Sequence, residues 1–252
     1  MRTFTIAAAA ALIVTTGSAD AAEIDAMITT AMKAAIEALA PLFERASGHV
    51  FRVIYGPSGG LARRLNGSEP ADLIVVESKV LDELIKQGKV ALGRTVVART
   101  GIGIAVRKGA PKPDVSSAAA LRRTLLAAKS IGHTAPAGGG VTAAHIMGVF
   151  EKLGIAAEVT PKVKLAAGGP NGRVSVLVSS GEAEIGLQPV SELMSNSDVE
   201  VIGMLPAELQ QMTIYSAGVT TSAGQTEPAK AFIRHLAAPE AVTIYKTKGL
   251  AL

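Results

Sequence analysis

Short apolar runs alternate with stretches of helical periodicity along nearly the whole 252-residue chain, and the joints between them carry Gly, Ser, Thr and Pro. That rhythm admits few folds. Strands alternating with helices predict an α/β architecture built on parallel sheet. The fullest joint is Tyr55-Gly56-Pro57-Ser58-Gly59-Gly60-Leu61-Ala62-Arg63-Arg64. The apolar run 50–54 before it reads as a strand, and Leu61, Ala62 and Leu65 after it mark the apolar side of a short helix. The first N–H groups of a helix have no intrahelical partner, and the helix dipole is positive there, so such a joint can hold an anion. Ser58 can cap the helix and also offer its hydroxyl to a ligand, while Gly59 and Gly60 let backbone come close. An ordinary capped turn uses the same residues, so this joint alone does not define a site.

Three further joints share its chemistry. Thr29 and Thr30 stand between a strand candidate at 23–27 and a helical pattern over 31–46, in which Met32, Ile36, Leu39 and Phe43 share one face. Residues 138–142 follow a short strand at 130–133 and open a helix over 141–153. Asn171 and Gly172 follow a strand at 161–166 and open a helix over 173–179. In an open α/β sheet such joints all lie at the carboxyl edge of the strands, where ligands bind. Two come from each half of the chain. The rhythm changes twice, at 101–106 and 214–219, where Gly punctuates strand-like runs. Read as crossings, these divide the chain into one lobe of residues 22–103 with 217–252 and another of 104–216. Lobes that face each other would bring the four joints to one cleft.

Other chemistries find little support. Gly138-Gly139-Gly140 has no Lys-Ser/Thr after it, so it is not a phosphate-binding P-loop. No GxGxxG sits at a strand–helix turn and no GxSxG elbow is present. The four His show no metal-ligand spacing, and the sequence implies neither metal nor cofactor. Without Cys there are no disulfides and no thiolate sites. Aromatic residues make up only 3%, which leaves little to stack on sugar rings or to build a cage for a cation. The formal charge of +4 is spread without a basic block, so nothing calls for nucleic acid.

Residues 1–21 read as a cleaved secretory leader: Arg2, an apolar stretch over 6–14, then Ala19-Asp20-Ala21 as the cleavage signal. The expectation is a periplasmic protein with no membrane anchor.

Several runs together resemble the molybdate-binding-protein-like branch of periplasmic solute-binding proteins. They are Ala40-Pro41-Leu42-Phe43-Glu44, Gly56-Pro57-Ser58-Gly59-Gly60-Leu61-Ala62-Arg63, Pro70-Ala71-Asp72-Leu73, Glu151-Lys152-Leu153-Gly154 and Ser180-Gly181-Glu182-Ala183-Glu184-Ile185-Gly186. The resemblance implies a two-lobed type II periplasmic-binding-protein fold, with two crossing strands, a cleft between the lobes and an ABC permease as partner to a monomeric receptor. It places ligand contacts on Thr29, Thr30, Ser58 and Gly59 in the first lobe, and on Ala137, Gly138, Asn171, Gly172 and Gln188 in the second. Molybdate binders carry a Ser pair where this chain has Ser58-Gly59, and a Tyr where it has Gln188-Pro189. Losing two hydroxyl donors suits a small organic polycarboxylate better than a tetrahedral dianion. The same branch holds proteins similar to aconitate isomerases. That activity would need a general base, for which His133 and His145 are the candidates.

Overall fold

The computed structural model describes residues 21–167 and 173–252, with 137–141 described by their backbone alone. The leader reading therefore lies outside the described residues but for Ala21, and so do Asn171 and Gly172. The chain opens β1 (Glu23–Thr29), α1 (Lys33–Ser47), β2 (Val50–Gly56), α2 (Ser58–Asn66), β3 (Leu73–Glu77), α3 (Ser78–Lys86) and β4 (Thr95–Thr100). It continues β5 (Ile102–Arg107), α4 (Ala118–Ala127), β6 (Ile131–Thr134), α5 (Pro136–Lys152), α6 (Ala156–Val159), β7 (Val163–Ala166) and α7 (Val174–Ser180). The last elements are β8 (Ile185–Pro189), α8 (Val190–Leu193), β9 (Val199–Met204), β10 (Thr213–Val219), α9 (Thr226–Leu236) and α10 (Ala241–Thr247). No described helix is long and apolar enough to cross a membrane.

The strands form two sheets, in the orders β2-β1-β3-β10-β4 and β7-β6-β8-β5-β9. The parallel pairing expected from the rhythm holds for β1, β2 and β3 and for β6, β7 and β8. It fails for β10, which runs against β3 and β4, and for β5, which runs against β8 and β9. Both sheets are thus mixed, and the cause is topological. The reversed strand of each sheet is the one by which the chain enters from the other lobe. Sheet membership changes at Gly101, two residues before the boundary read from the sequence. On the return, β10 lies whole in the first sheet, so residues 205–212 make that crossing instead of 214–219. The side-chain amide of Gln210 ties the two crossings together. It accepts the Ile102 N–H and donates to the Ile102 carbonyl, each at 2.9 Å.

Burial on both faces of the first sheet follows the period of two in a strand. Ile24, Ala26 and Ile28 of β1 join Leu73 and Val75 in a core closed by α1, α9 and α10, with Phe43, Phe232 and Tyr245. Met27, Ile74 and Val76 point the other way, onto Leu61 of α2 and Leu81 of α3. Each such aliphatic side chain contributes about 1.5–3 kcal/mol on burial.

In the second lobe, α7 lies close on the sheet because its partners are small. Gly132 of β6 pairs with Gly186 of β8; Gly132 sits beneath Val174, and Gly186 beneath both Val174 and Val178. A Cβ at Gly186 would come within 2.6 Å of Val178 and 2.8 Å of Val174. Both valines are β-branched and stiff, so little can give. Gly186→Ala is expected to cost about 1–3 kcal/mol in urea unfolding, the usual price of overpacking. It should also shift α7, which carries Arg173 at its N-cap.

Candidate functional site

The register of the two crossings fixes which edges meet. Thr100 at the end of β4 pairs with Thr213, while Ile102 at the start of β5 pairs with Pro189 at the end of β8. The chain therefore passes between lobes at the carboxyl edge of both sheets, and those edges face each other. Contacts across the gap include α2 against α5 and the turn 30–32 against α8.

On the first-lobe edge, Thr29, Ser58 and Glu77 come together. The Ser58 hydroxyl donates to Thr29 Oγ1 at 3.3 Å and accepts the Glu77 N–H at 3.2 Å. The expected helix cap at Ser58 is absent. Pro57 is the N-cap of α2, without a side-chain cap bond, because the Ser58 hydroxyl is taken by its neighbours on the sheet edge. Ser58→Ala is accordingly expected to destabilise the fold by about 1–3 kcal/mol in denaturant titration, since it strips a buried partner from the Glu77 N–H and the Thr29 hydroxyl. Gly59 is different. A Cβ there would meet only Arg63 Nη1, at 3.8 Å, so the space beside it is open.

On the second-lobe edge, Ala137 and Gly138 fall in the first turn of α5. Gln188 is buried at the end of β8, and its amide nitrogen donates to Glu192 Oε2 at 2.6 Å. Neither His133 nor His145 reaches the gap between the lobes. His133 is buried beside Phe150, with Nδ1 donating to the Thr134 carbonyl at 2.9 Å, and burial holds its pKa below the ordinary value. His145 spends Nε2 on the Leu209 carbonyl at 2.8 Å, bracing the second crossing.

Among the described residues, four buried side-chain polar atoms have no hydrogen-bond partner: Thr30 Oγ1, Arg173 Nε, Gln188 Oε1 and Ser191 Oγ. All four belong to residues on the facing edges. Three of those residues, Thr30, Arg173 and Ser191, wall a cavity of about 350 Å³ between the lobes, together with Glu192. A buried unpaired donor costs about 1–3 kcal/mol, so three around one cavity mark a place where an acceptor belongs. Arg173 is held in position by its other end, where Nη1 donates to Ser195 Oγ at 2.8 Å.

Acidic groups complete the site. Burial pushes the Glu192 carboxyl up to about 7; the Arg173 guanidinium draws it down and the Glu77 carboxylate drives it up. Glu77 itself is raised by burial, against the pull of Lys79. Tyr215, the cross-strand partner of Glu77, is buried, and its hydroxyl is held well above the ordinary value by burial and by both carboxylates. Two carboxyl groups from opposite lobes thus share one region with a single guanidinium. Chemically, the arrangement can bind an anion through Arg173 and hydroxyl donors, and it can exchange a proton through Glu192.

Of the residues expected from the sequence, the structure brings Thr29, Thr30, Ser58 and Gln188 to the facing edges. Arg173, Ser191, Glu192, Glu77 and Tyr215 were not among them. The signal was near: Arg173 follows Asn171-Gly172 directly, and Ser191 and Glu192 come three and four residues after Gln188.

Comparison with known proteins agrees with this architecture. An aconitate isomerase from Pseudomonas sp is 32% identical over 221 residues, covering 85% of this chain and 82% of that protein. The molybdate-binding protein ModA of Azotobacter vinelandii is 25% identical over 242 residues, covering 93% of this chain and 92% of that one. The solved structure of the Azotobacter vinelandii periplasmic molybdate-binding protein superposes with a TM-score of 0.73 at 20% identity, over 91% of this chain and 99% of its own. Residues 24–251 match the family model described as bacterial extracellular solute-binding protein, and the chain belongs to that family.

Proposed function

We propose that this protein is an exported receptor that captures a small organic polycarboxylate between its two lobes and delivers it to an ABC-type permease. The observation that carries the reading is the set of unpartnered donors, Thr30 Oγ1, Arg173 Nε and Ser191 Oγ, around the interlobe cavity. A guanidinium suits a planar carboxylate, which it can meet with two parallel N–H groups. Glu77 and Glu192 argue for an organic acid over a compact dianion. A carbon skeleton can turn its C–H side to these carboxyls, whereas a tetrahedral oxyanion presents charge in every direction. The leader-like residues 1–21 and the family support export.

The test is a thermal-shift panel of citrate, cis-aconitate, trans-aconitate, molybdate, tungstate, sulfate and phosphate. A ligand at about 100 times its dissociation constant adds about 2.7 kcal/mol of stability, a shift easily read. The polycarboxylates are expected to stabilise the protein. A response to the tetrahedral oxyanions alone would refute the reading.

Glu192 favours a second reading, isomerisation of the captured acid. In its ionised form it can take a proton from one allylic carbon, and as the acid return it to the far end of the same three-carbon unit, so that the double bond moves and nothing else changes. This reading places the proton transfer on Glu192 in preference to His133 or His145, each of which has one ring nitrogen engaged by a backbone carbonyl of the second lobe or its crossing. Mixing with one aconitate isomer would then change ultraviolet absorbance. An unchanged spectrum with a ligand that demonstrably binds leaves the receptor alone.

A further inference from the structure

The cavity walled by Arg173 and Ser191 extends past them to the first lobe, where Lys33 and Lys248 also line it. Lys33 opens α1, with Nζ 3.5 Å from Glu37 and 5.4 Å from the centre of the Tyr55 ring. Lys248 is the C-cap of α10, half-buried, and has no ion pair among the described residues. Across from them, Ser191 is 3% exposed and its hydroxyl has no partner. The volume of about 350 Å³ is that of a small-molecule site, more than a single carboxylate fills. Glu37, which pairs with Lys33, and Glu192 share the lining, so the cations there without an ion pair among the described residues are Arg173 on one lobe and Lys248 on the other, an arrangement suited to an anion with two separated heads.

We infer that Lys33 and Lys248 form a second carboxylate subsite, so that the cleft takes acids with at least two carboxylates and uses both lobes to hold them. This rests on the polycarboxylate reading above. It also supplies a reason to close, because a ligand bound by Arg173 in one lobe and Lys248 in the other bridges them.

The test is calorimetric titration of citrate at physiological salt, where screening keeps the effects of charge local. The proteins compared are wild type, Lys248→Gln, Lys248→Glu and Arg173→Ala. Lys248→Gln is expected to weaken citrate about tenfold, the usual loss for one charge-assisted hydrogen bond, and Lys248→Glu considerably more. The melting temperature of ligand-free Lys248→Gln should match wild type, which separates lost charge from lost fold. Wild-type affinity in Lys248→Glu, with citrate binding lost in Arg173→Ala, would overturn the subsite and leave the polycarboxylate reading intact. Failure of wild type to bind any of the panel's polycarboxylates would instead remove that reading and the subsite with it.

Discussion

Arg173→Ala should all but abolish ligand capture. Arg173 offers a buried Nε–H with no partner among the described residues, and it is the guanidinium that draws down the Glu192 carboxyl. Hydrogen bonds to charged groups are worth about 1.5–3 kcal/mol each, so a carboxylate held by two N–H groups of one guanidinium should lose roughly 100-fold or more in affinity. Arg173→Lys is expected to restore little, because a lysine ammonium is a point charge without the planar fork. Calorimetry with citrate measures both variants. Arg173→Ala should leave the fold itself nearly unchanged, since the side chain's only described hydrogen bond is the one to Ser195.

Glu192→Gln should change how stability depends on pH. In the fold this carboxyl titrates at about 7, against an ordinary value of 4.5. Below 4.5 both the folded and unfolded chains hold the proton, and the residue costs nothing. Between 4.5 and about 7 the unfolded chain gives up its proton while the fold keeps it, so stability falls as pH rises. Above 7 the full penalty is present, on the order of 3 kcal/mol for a rise of this size. Glutamine carries no proton to lose and can still accept from Gln188 Nε2. The variant is therefore expected to gain stability over wild type at pH 8, and the two should converge below pH 5. Urea titrations at pH 5, 6, 7 and 8 read the difference directly. The same carboxyl couples to the ligand. An anion beside it favours the protonated form, so wild-type affinity for citrate should rise as pH falls from 8 to 6, and Glu192→Gln should flatten that slope. If the cleft also isomerises its ligand, Glu192→Gln should bind and not turn over.

Much of this architecture is legible in the chain itself, and the reasons are local. Apolar runs such as 73–76 are buried on both faces and read as strands wherever they lie. Thr29, Thr30 and Ser58 end or follow parallel strands of one sheet and so share an edge, which element order alone implies; Gln188 ends a strand of the other sheet, and its approach to them depends on the crossings. What was not legible depends on partners far away in sequence. The antiparallel entry of β5 and β10 comes from the route the chain takes between lobes, which no local pattern records. Ser58 looks like a cap until Thr29 and the Glu77 N–H are seen to claim its hydroxyl. His133 and His145 were conspicuous as titratable groups, yet backbone carbonyls engage one ring nitrogen of each. Glu192 looks like an ordinary helix glutamate, and it is the loss of solvent, with a smaller push from Glu77 of the other lobe, that raises its carboxyl to about 7.

The most direct test of the whole account is a crystal structure of the protein grown with citrate. Citrate is expected between the lobes, with one carboxylate within hydrogen-bond distance of Arg173 Nε, Ser191 Oγ and Thr30 Oγ1, and another toward Lys248. Citrate bound elsewhere, with those three atoms still unpartnered, would contradict it.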